Sequence, residues 1–487
     1  MRHLLPILLA MAMGMTAYAQ TENTPDSTMS DGIVRVQAIG NSFSQDAVEQ
    51  YLYELANEAG VKMVIGNAYR GGQGFHSHWI DVTEQNNTFE YRKVVDGVRD
   101  NTPHMALADI ITDEPWDFIT VQQVSQESGL TTTFEPHMSL LMSYTDSLKT
   151  NPGVRYGYHM TWAYSHDSTH GGFANYGNTQ EVMYDSIRHA VKWAMEQHPE
   201  LTFMVPCGTA IQNARTTYLG DNMNRDGYHL DLKMGRYTAS CTWLETILGI
   251  NPEGLSYRPE GVDPLAARIC QKAAHAAVQR PDTVTVMADE GFTQRNGIVP
   301  SGLIKLNFGA TPSMDSAWNN ITTSQRTHTW ITDTQLNPTG IVVTCTDDFC
   351  GTNTNGPTFT STEMLMPQDV SQSCVWGYAA GHFGNMGANP TGAYTLSHMN
   401  PDLEYDITIF GSRDKCKDLR ETTFLIQGDG TYSGSLDAAG NASQTVFIRN
   451  ARPTPDGRLS IMAMPGVRNS HVNKFYYLNA IMLKAHK

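Results

Sequence analysis

Ser42, Asp226 and His229 are the residues whose types and spacing suit them to act together. Ser42 lies in Gly40-Asn41-Ser42-Phe43-Ser44, directly after an apolar run near the start of the chain. Asp226-Gly227-Tyr228-His229 comes much later. A serine hydroxyl becomes a nucleophile when a base takes its proton and a third group orients that base. Asp-x-x-His supplies both on one turn of chain, with the carboxylate on one imidazole nitrogen and the other nitrogen facing outward. The chemistry this predicts is acyl transfer through a serine ester. Two competing roles are weighed against it. A serine after a strand often caps the next helix. Asn222, Asn224, Asp226 and Gly227 mimic the first half of a calcium loop, but the position of its closing glutamate holds Lys233.

The elements that must position these residues alternate over 31–280. Residues 33–39 read as a first strand. Residues 45–59 read as a helix, with Val48, Tyr51, Leu52, Leu55, Ala56 and Ala59 at helical spacing and Gly60 as its stop. Further strands are expected at 61–65, 118–121, 155–160 and 201–206. Helices are expected at 136–149, 179–197, 233–248 and 264–278, with a helical stretch around 91–98. Strands separated by helices predict a parallel sheet covered on both faces. Sites on such sheets lie at the carboxyl ends of strands, where Ser42 falls. Residues 281–299, with Pro281, Gly291 and Gly297 among polar residues, read as a linker. Over 300–487 helical periodicity nearly vanishes. Strand-like runs at 304–309, 341–345, 405–410, 422–427, 445–448, 459–463 and 476–483 alternate with turn signals and predict an all-β sandwich.

The 487 residues suggest at least two domains, and 40% apolar with 17% charged residues is ordinary for folded protein. A formal charge of -16 argues against a nucleic-acid binder and against adhesion to anionic lipid. Met1-Arg2-His3, the apolar run 4–15 and Ala17-Tyr18-Ala19 read as a signal peptide over 1–19. No later run is long enough to insert in a membrane, so an exported bacterial protein, periplasmic or extracellular, is expected. Of seven cysteines, Cys207, Cys241 and Cys270 read as buried thiols, and Cys345 and Cys350 as free or locally bridged.

The order of the motifs, serine first and Asp-x-x-His last, resembles the SGNH (GDSL-like) hydrolase superfamily over about residues 31–280. The resemblance implies a flavodoxin-like three-layer α/β domain with esterase activity and no cofactor or metal. It also implies three oxyanion donors. These are the N–H of Ser42, a glycine N–H after the second strand and an amide side chain after the third. Gly72 is the glycine candidate, with Gly71 beside it. The usual Gly-x-Asn-Asp is replaced by Val121-Gln122-Gln123-Val124-Ser125. A glutamine amide donates as asparagine does, so Gln122, or else Gln123, is expected in that role. The glutamine-containing strand end resembles a carbohydrate-esterase-like bacterial branch. The C-terminal region is similar to the jelly-roll-like β-sandwich modules of secreted carbohydrate-active proteins, on Leu306-Asn307-Phe308-Gly309, Trp318-Asn319-Asn320 and Tyr477-Leu478-Asn479-Ala480-Ile481.

Four more residues are candidates for substrate contact: His78 and Trp79 after the glycines, Trp162 after the fourth strand, and Arg215 after the fifth. Tryptophan can stack on a sugar ring or sit in the core, and Arg215 can meet an acidic sugar or form a salt bridge. His166-x-x-x-His170 has metal-ligand spacing, but Gly171-Gly172 makes it a loop. The expected function is an exported serine esterase that removes ester groups, acetyl above all, from polysaccharide or oligosaccharide. The alternatives are a glycan-binding surface protein with an idle hydrolase fold and a methylesterase acting on pectin-like uronates.

Overall fold

The computed structural model describes residues 31–217, 219–262, 264–287, 302–325, 328–384 and 387–486. The expected signal segment, and all of the expected linker beyond residue 287, lie outside the described residues.

The N-terminal unit is built on a seven-stranded sheet: β1 Ile33–Gly40, β2 Lys62–Tyr69, β3 Phe89–Val95, β4 Val98–Met105, β5 Phe118–Val121, β6 Arg155–His159 and β7 Leu201–Val205. Their order is β4-β3-β2-β1-β5-β6-β7. β2, β1, β5, β6 and β7 run parallel, and β3 and β4 are an antiparallel edge hairpin. The chain leaves β1 for β2 on one side and returns to β5 on the other. The strand order therefore reverses at β1, and the crevice for a ligand opens at its carboxyl end.

The helices are α1 Ser42–Val48, α2 Leu52–Glu58, α3 Phe75–Thr83, α4 Leu107–Asp113, α5 His137–Leu148, α6 Gln180–Gln197, α7 Cys207–Arg215, α8 Met234–Leu248 and α9 Pro264–Gln279. α8 packs against α1, α2, α7 and α9, and α5 packs against α3 and α4. Nearly every residue of α8 is buried. The helix expected over 45–59 is two, because Tyr51 adopts φ 72° and breaks the run.

The helical stretch expected around 91–98 is instead the β3–β4 hairpin. Asp96 and Gly97 both take positive φ, 51° and 77°. Two central residues with positive φ make the tight turn whose twist matches a hairpin, and Asp-Gly is a favoured pair for it. β4 is almost wholly exposed and carries Pro103, as an edge strand can.

The C-terminal unit contains antiparallel sheets. A six-stranded sheet runs in the order His328–Thr332, Pro338–Asp347, Gly392–Ser397, Leu459–Pro465, Glu421–Gln427, Thr431–Asp437. A five-stranded sheet runs Val446–Ala451, Glu404–Phe410, Ala480–His486, Ile304–Phe308, Trp318–Ile321, its last pair parallel. Gly351–Asn353, Cys374–Tyr378 and Phe475–Leu478 form a third. One apolar cluster draws on all three, including Leu306, Val343, Tyr378, Ile409, Phe424 and Ile461. Asn479 divides the strand expected over 476–483. Its N–H donates to Phe410 O, its Nδ2 to Ser371 O, and its Oδ1 accepts from Ser412 N–H, so the chain passes there from one sheet to another.

Cys207, Cys241 and Cys270 are buried thiols. Cys345 and Cys350 are unbridged: Cys345 Sγ lies against the Asp347 carbonyl and Cys350 Sγ against that of Gly387.

Candidate active site

Ser42 is the first residue of α1, separated from β1 by Asn41 alone. It does not cap the helix. Asn41 does, its Oδ1 accepting from Phe43 N–H at 2.9 Å, so the Ser42 hydroxyl is not spent on the helix end. Gly40 is required here because a Cβ would lie 2.6 Å from Ser44 Oγ and 2.9 Å from Gln122 Cδ.

Asp226 and His229 lie in a narrow hairpin. Arg225 N–H donates to His229 O, Asp231 N–H to Met223 O, and Asn224 Nδ2 to Tyr228 O. His229 Nε2 is 2.8 Å from Ser42 Oγ, and His229 Nδ1 is 2.7 Å from Asp226 Oδ2. A carboxylate only accepts, so Nδ1 carries the proton and Nε2 is the lone pair facing the serine hydroxyl. Burial raises the Asp226 carboxyl. The hydrogen bond and charge of His229, with its backbone N–H and the Arg225 charge, outweigh that and hold it below the usual carboxylate range. The structure thus brings together the three residues expected to act as one.

Asp46 anchors this geometry from below. It is one helical turn after Ser42, on the same face of α1, and fully buried. Its Oδ2 accepts from Arg225 Nη1 and Leu230 N–H, and its Oδ1 from Arg236 Nε and Nη2, all at 2.6–2.9 Å. One carboxylate ties the serine helix to the Asp226–His229 hairpin and to α8. Motif spacing does not mark it. Its signal was a carboxylate at i+4 on a face that otherwise reads as core.

The cleft above has a volume of about 370 Å³. Its wall includes Ser42, Gly71, Gly72, Ser125, Gln126, His170, Arg225, Tyr228 and His229. The N–H groups of Ser42, Gly71 and Gly72 make no hydrogen bond among the described residues. Gly72 has φ 68°, which favours glycine. Asn41 Nδ2 holds this glycine loop through Gln73 O at 2.9 Å. His170 Nδ1 accepts from Gly172 N–H at 3.1 Å, which leaves the proton on Nε2. Burial, then the neighbouring His229, push its pKa down against the pull of Asp226.

The expected third oxyanion donor is not at the cleft wall. Gln122 Nε2 donates to Asn41 Oδ1 at 3.0 Å, and its Oε1 lies 2.6 Å from His159 Nδ1. The orientation follows from the backbone. Asn41 Oδ1 faces an N–H, so it must accept. Gln122 must then turn its NH2 to it and its oxygen to a protonated His159 Nδ1. Gln123 Nε2 donates to Thr133 O, and its Oε1 accepts from Phe75 and Val124 N–H. Both glutamines are buried and lock strand ends and loops together.

The four expected substrate contacts are corrected in the same way. His78 is fully buried and stacks on Phe89 at 5.3 Å. Trp79 meets Tyr144 edge-on at 6.4 Å, away from the cleft. Trp162 is fully buried, stacked on Phe43 at 4.4 Å, and its Nε1 donates to Tyr228 O at 2.7 Å. It can stack on no sugar and instead props the hairpin. Arg215 is buried against Asp221, Ala163 O and Asn224 Oδ1, on the inner side of the same loop. His166 pairs with Asp221 and Glu181 while His170 faces the cleft, so the two do not converge. Among the described residues no group of three or more His, Cys, Asp or Glu side chains is arranged to hold a metal ion, and no helix is long and apolar enough to cross a membrane.

The model of a domain of unknown function, DUF4886, matches residues 35–277. The crystal structure of a DUF4886 family protein from Bacteroides uniformis ATCC 8492 is 44% identical, over 53% of this chain and 99% of that one, with a TM-score of 0.52. Two likenesses are distant. A proposed SGNH hydrolase from Slackia heliotrinireducens is 18% identical over 44% of this chain and 99% of its own, with a TM-score of 0.31. A proposed acylhydrolase from Bacteroides fragilis NCTC 9343 is 10% identical over 46% and 88%, with a TM-score of 0.27. No curated protein matches the chain.

Proposed function

The chain belongs to the DUF4886 family, and from that premise and the geometry of its cleft we propose that it is a serine esterase of the SGNH type. One observation carries the reading: a serine hydroxyl, an imidazole and a carboxylate in series at 2.8 and 2.7 Å, at the strand-order reversal of a parallel sheet. On this reading Ser42 Oγ attacks the ester carbonyl as its proton passes to His229 Nε2. Asp226 holds the imidazole and stabilises its cation. The tetrahedral oxyanion rests on the N–H groups of Ser42 and Gly72, with Gly71 beside them. The leaving alkoxide takes the proton from Nε2 as the C–O bond breaks. Water then gives a proton to the same nitrogen and attacks the acyl-serine, which releases the acid and restores the hydroxyl. No step needs a cofactor or a metal.

A cleft walled mainly by polar side chains suits a short acyl group such as acetyl and a hydroxyl-rich leaving group, so oligosaccharide or polysaccharide is the proposed substrate. The N-terminal unit is read as a flavodoxin-like three-layer hydrolase. The C-terminal sheets are read as a jelly-roll-like sandwich that serves as a glycan-binding module, and export to the periplasm or beyond completes the proposal. The test is hydrolysis of an aryl acetate by the full chain beside Ser42→Ala and His229→Ala. Turnover that falls by about 10⁴-fold or more in both variants supports the reading. Equal rates in all three proteins would leave a glycan-binding protein with an idle hydrolase fold.

A further inference from the structure

Among the residues that line the cleft, Arg225 is the one permanent cation, and no aspartate or glutamate joins it. The chain carries 49 acidic against 33 basic residues, so a cleft of this sign runs against the composition. Arg225 is engaged at one end only. Its Nη1 donates to Asp46 Oδ2 at 2.8 Å and to Leu230 O at 2.5 Å. Its Nε and Nη2 make no hydrogen bond among the described residues, and a quarter of the side chain is exposed. Those two N–H groups are the parallel donors of one guanidinium edge, which matches the two oxygens of a carboxylate.

The charges around it leave that edge available. Asp46 is shared with Arg236, so two guanidiniums face one buried carboxylate. Asp226 feels the Arg225 charge, but its Oδ2 is committed to His229. The Arg225 backbone is clamped on both sides, its N–H to His229 O and its C=O from His328 N–H. The cation is therefore fixed in place beside the base.

Resting on the serine-esterase reading above, we propose that the substrate is an ester of a carboxylate-bearing alcohol and that the free edge of Arg225 binds that carboxylate while Ser42 attacks the ester. The substrate class is thus an O-acylated acidic sugar or hydroxy acid. The arginine that the sequence offers for an acidic sugar, Arg215, has a buried side chain; the partly exposed one at the cleft is ten residues on.

The test compares the acetyl esters of 3-hydroxybenzoate and 3-hydroxybenzamide, each rate divided by that ester's alkaline hydrolysis rate. The expected wild-type kcat/KM favours the carboxylate ester by about tenfold or more, the scale of charge-assisted hydrogen bonds. In Arg225→Gln the preference falls to near one. The ratio within one protein does not depend on how much of the variant folds. As a second measurement on the wild type, benzoate inhibits competitively where benzamide does not. Equal rates on the two esters in the wild type, or an unchanged preference in Arg225→Gln, would overturn the inference and leave the esterase standing. Hydrolysis of neither ester would overturn both.

Discussion

At the scale of single residues, Asp46 is the buried carboxylate that ties the serine helix to the hairpin of the base. Its buried carboxylate is the shared partner of Arg225 and Arg236 and of Leu230 N–H. Removing one member of a buried charge cluster strands the others in low dielectric, which costs about 3–5 kcal/mol. Asp46→Asn keeps the shape and removes the charge, so urea unfolding should show a loss of that order. Aryl acetate turnover should fall in kcat more than in KM, because the hairpin carrying His229 loses its tie to the serine helix. A variant as stable and as fast as the parent would mean that the two arginines are held elsewhere. The serine, the aspartate and the histidine were legible in the sequence because their order and spacing are themselves the signal. Gln122, Trp162 and Arg215 were not. Residue type says what a side chain can donate or stack on, but not whether it points into the cleft or under it. All three point under it and support the groups above.

At the scale of elements, the five parallel strands were legible from apolar runs broken by helical periods. The β3–β4 hairpin was not, since 91–98 spaces its apolar residues ambiguously and the Asp96-Gly97 turn decides the matter. The strand and helix that follow the glycine loop and β5 bury imidazoles, and that sets a pH dependence. His78 in α3 and His159 in β6 are both pushed down to about 3 by burial, with Arg70 adding to the effect at His78. An unfolded histidine titrates near 6.5. Below that pH the unfolded chain binds protons that the folded chain refuses. The stability these neutral imidazoles contribute is thus present above about 6.5 and lost as pH falls toward 3. Asp231 acts in the opposite sense. Burial raises it to about 6, against the N–H bonds of Lys233, Gly235 and Met234, so its contribution favours folding at low pH and is lost as pH rises through about 6. Two histidines against one aspartate predict a urea midpoint that falls between pH 7 and pH 4. His159→Gln should flatten that slope, because a glutamine amide can still donate to Gln122 Oε1 but binds no proton. A midpoint that rises on acidification would put Asp231 in control instead.

At the scale of the whole molecule, the composition of 281–299 reads as a linker and says nothing of how the two units meet, whereas the contacts do. The edge strand His328–Thr332 of the six-stranded sheet lies against the Asp226–His229 hairpin and donates His328 N–H to Arg225 O at 3.2 Å. An edge strand needs such a cover for its unpaired backbone groups. Trp330 and its cross-strand partner Val342 share one face of that sheet. Both are buried within the apolar cluster of the N-terminal unit, while Ile341 and Val343, on the opposite face, belong to the core of the C-terminal one. The sheet thus serves two cores, one on each side. Units coupled in this way should unfold together, so calorimetry of the full chain should show one transition. Trp330→Ala removes a large buried ring, a change worth about 3–5 kcal/mol, and takes most of it from the contact between the units. The variant should unfold in two steps, with the N-terminal unit melting first and aryl acetate turnover reduced at temperatures well below either step. Reduced turnover is the informative part, since Trp330 touches no reacting atom and can act only through the hairpin that its strand supports. Two separate transitions already present in the parent would mean that the contact holds the units side by side without making either depend on the other.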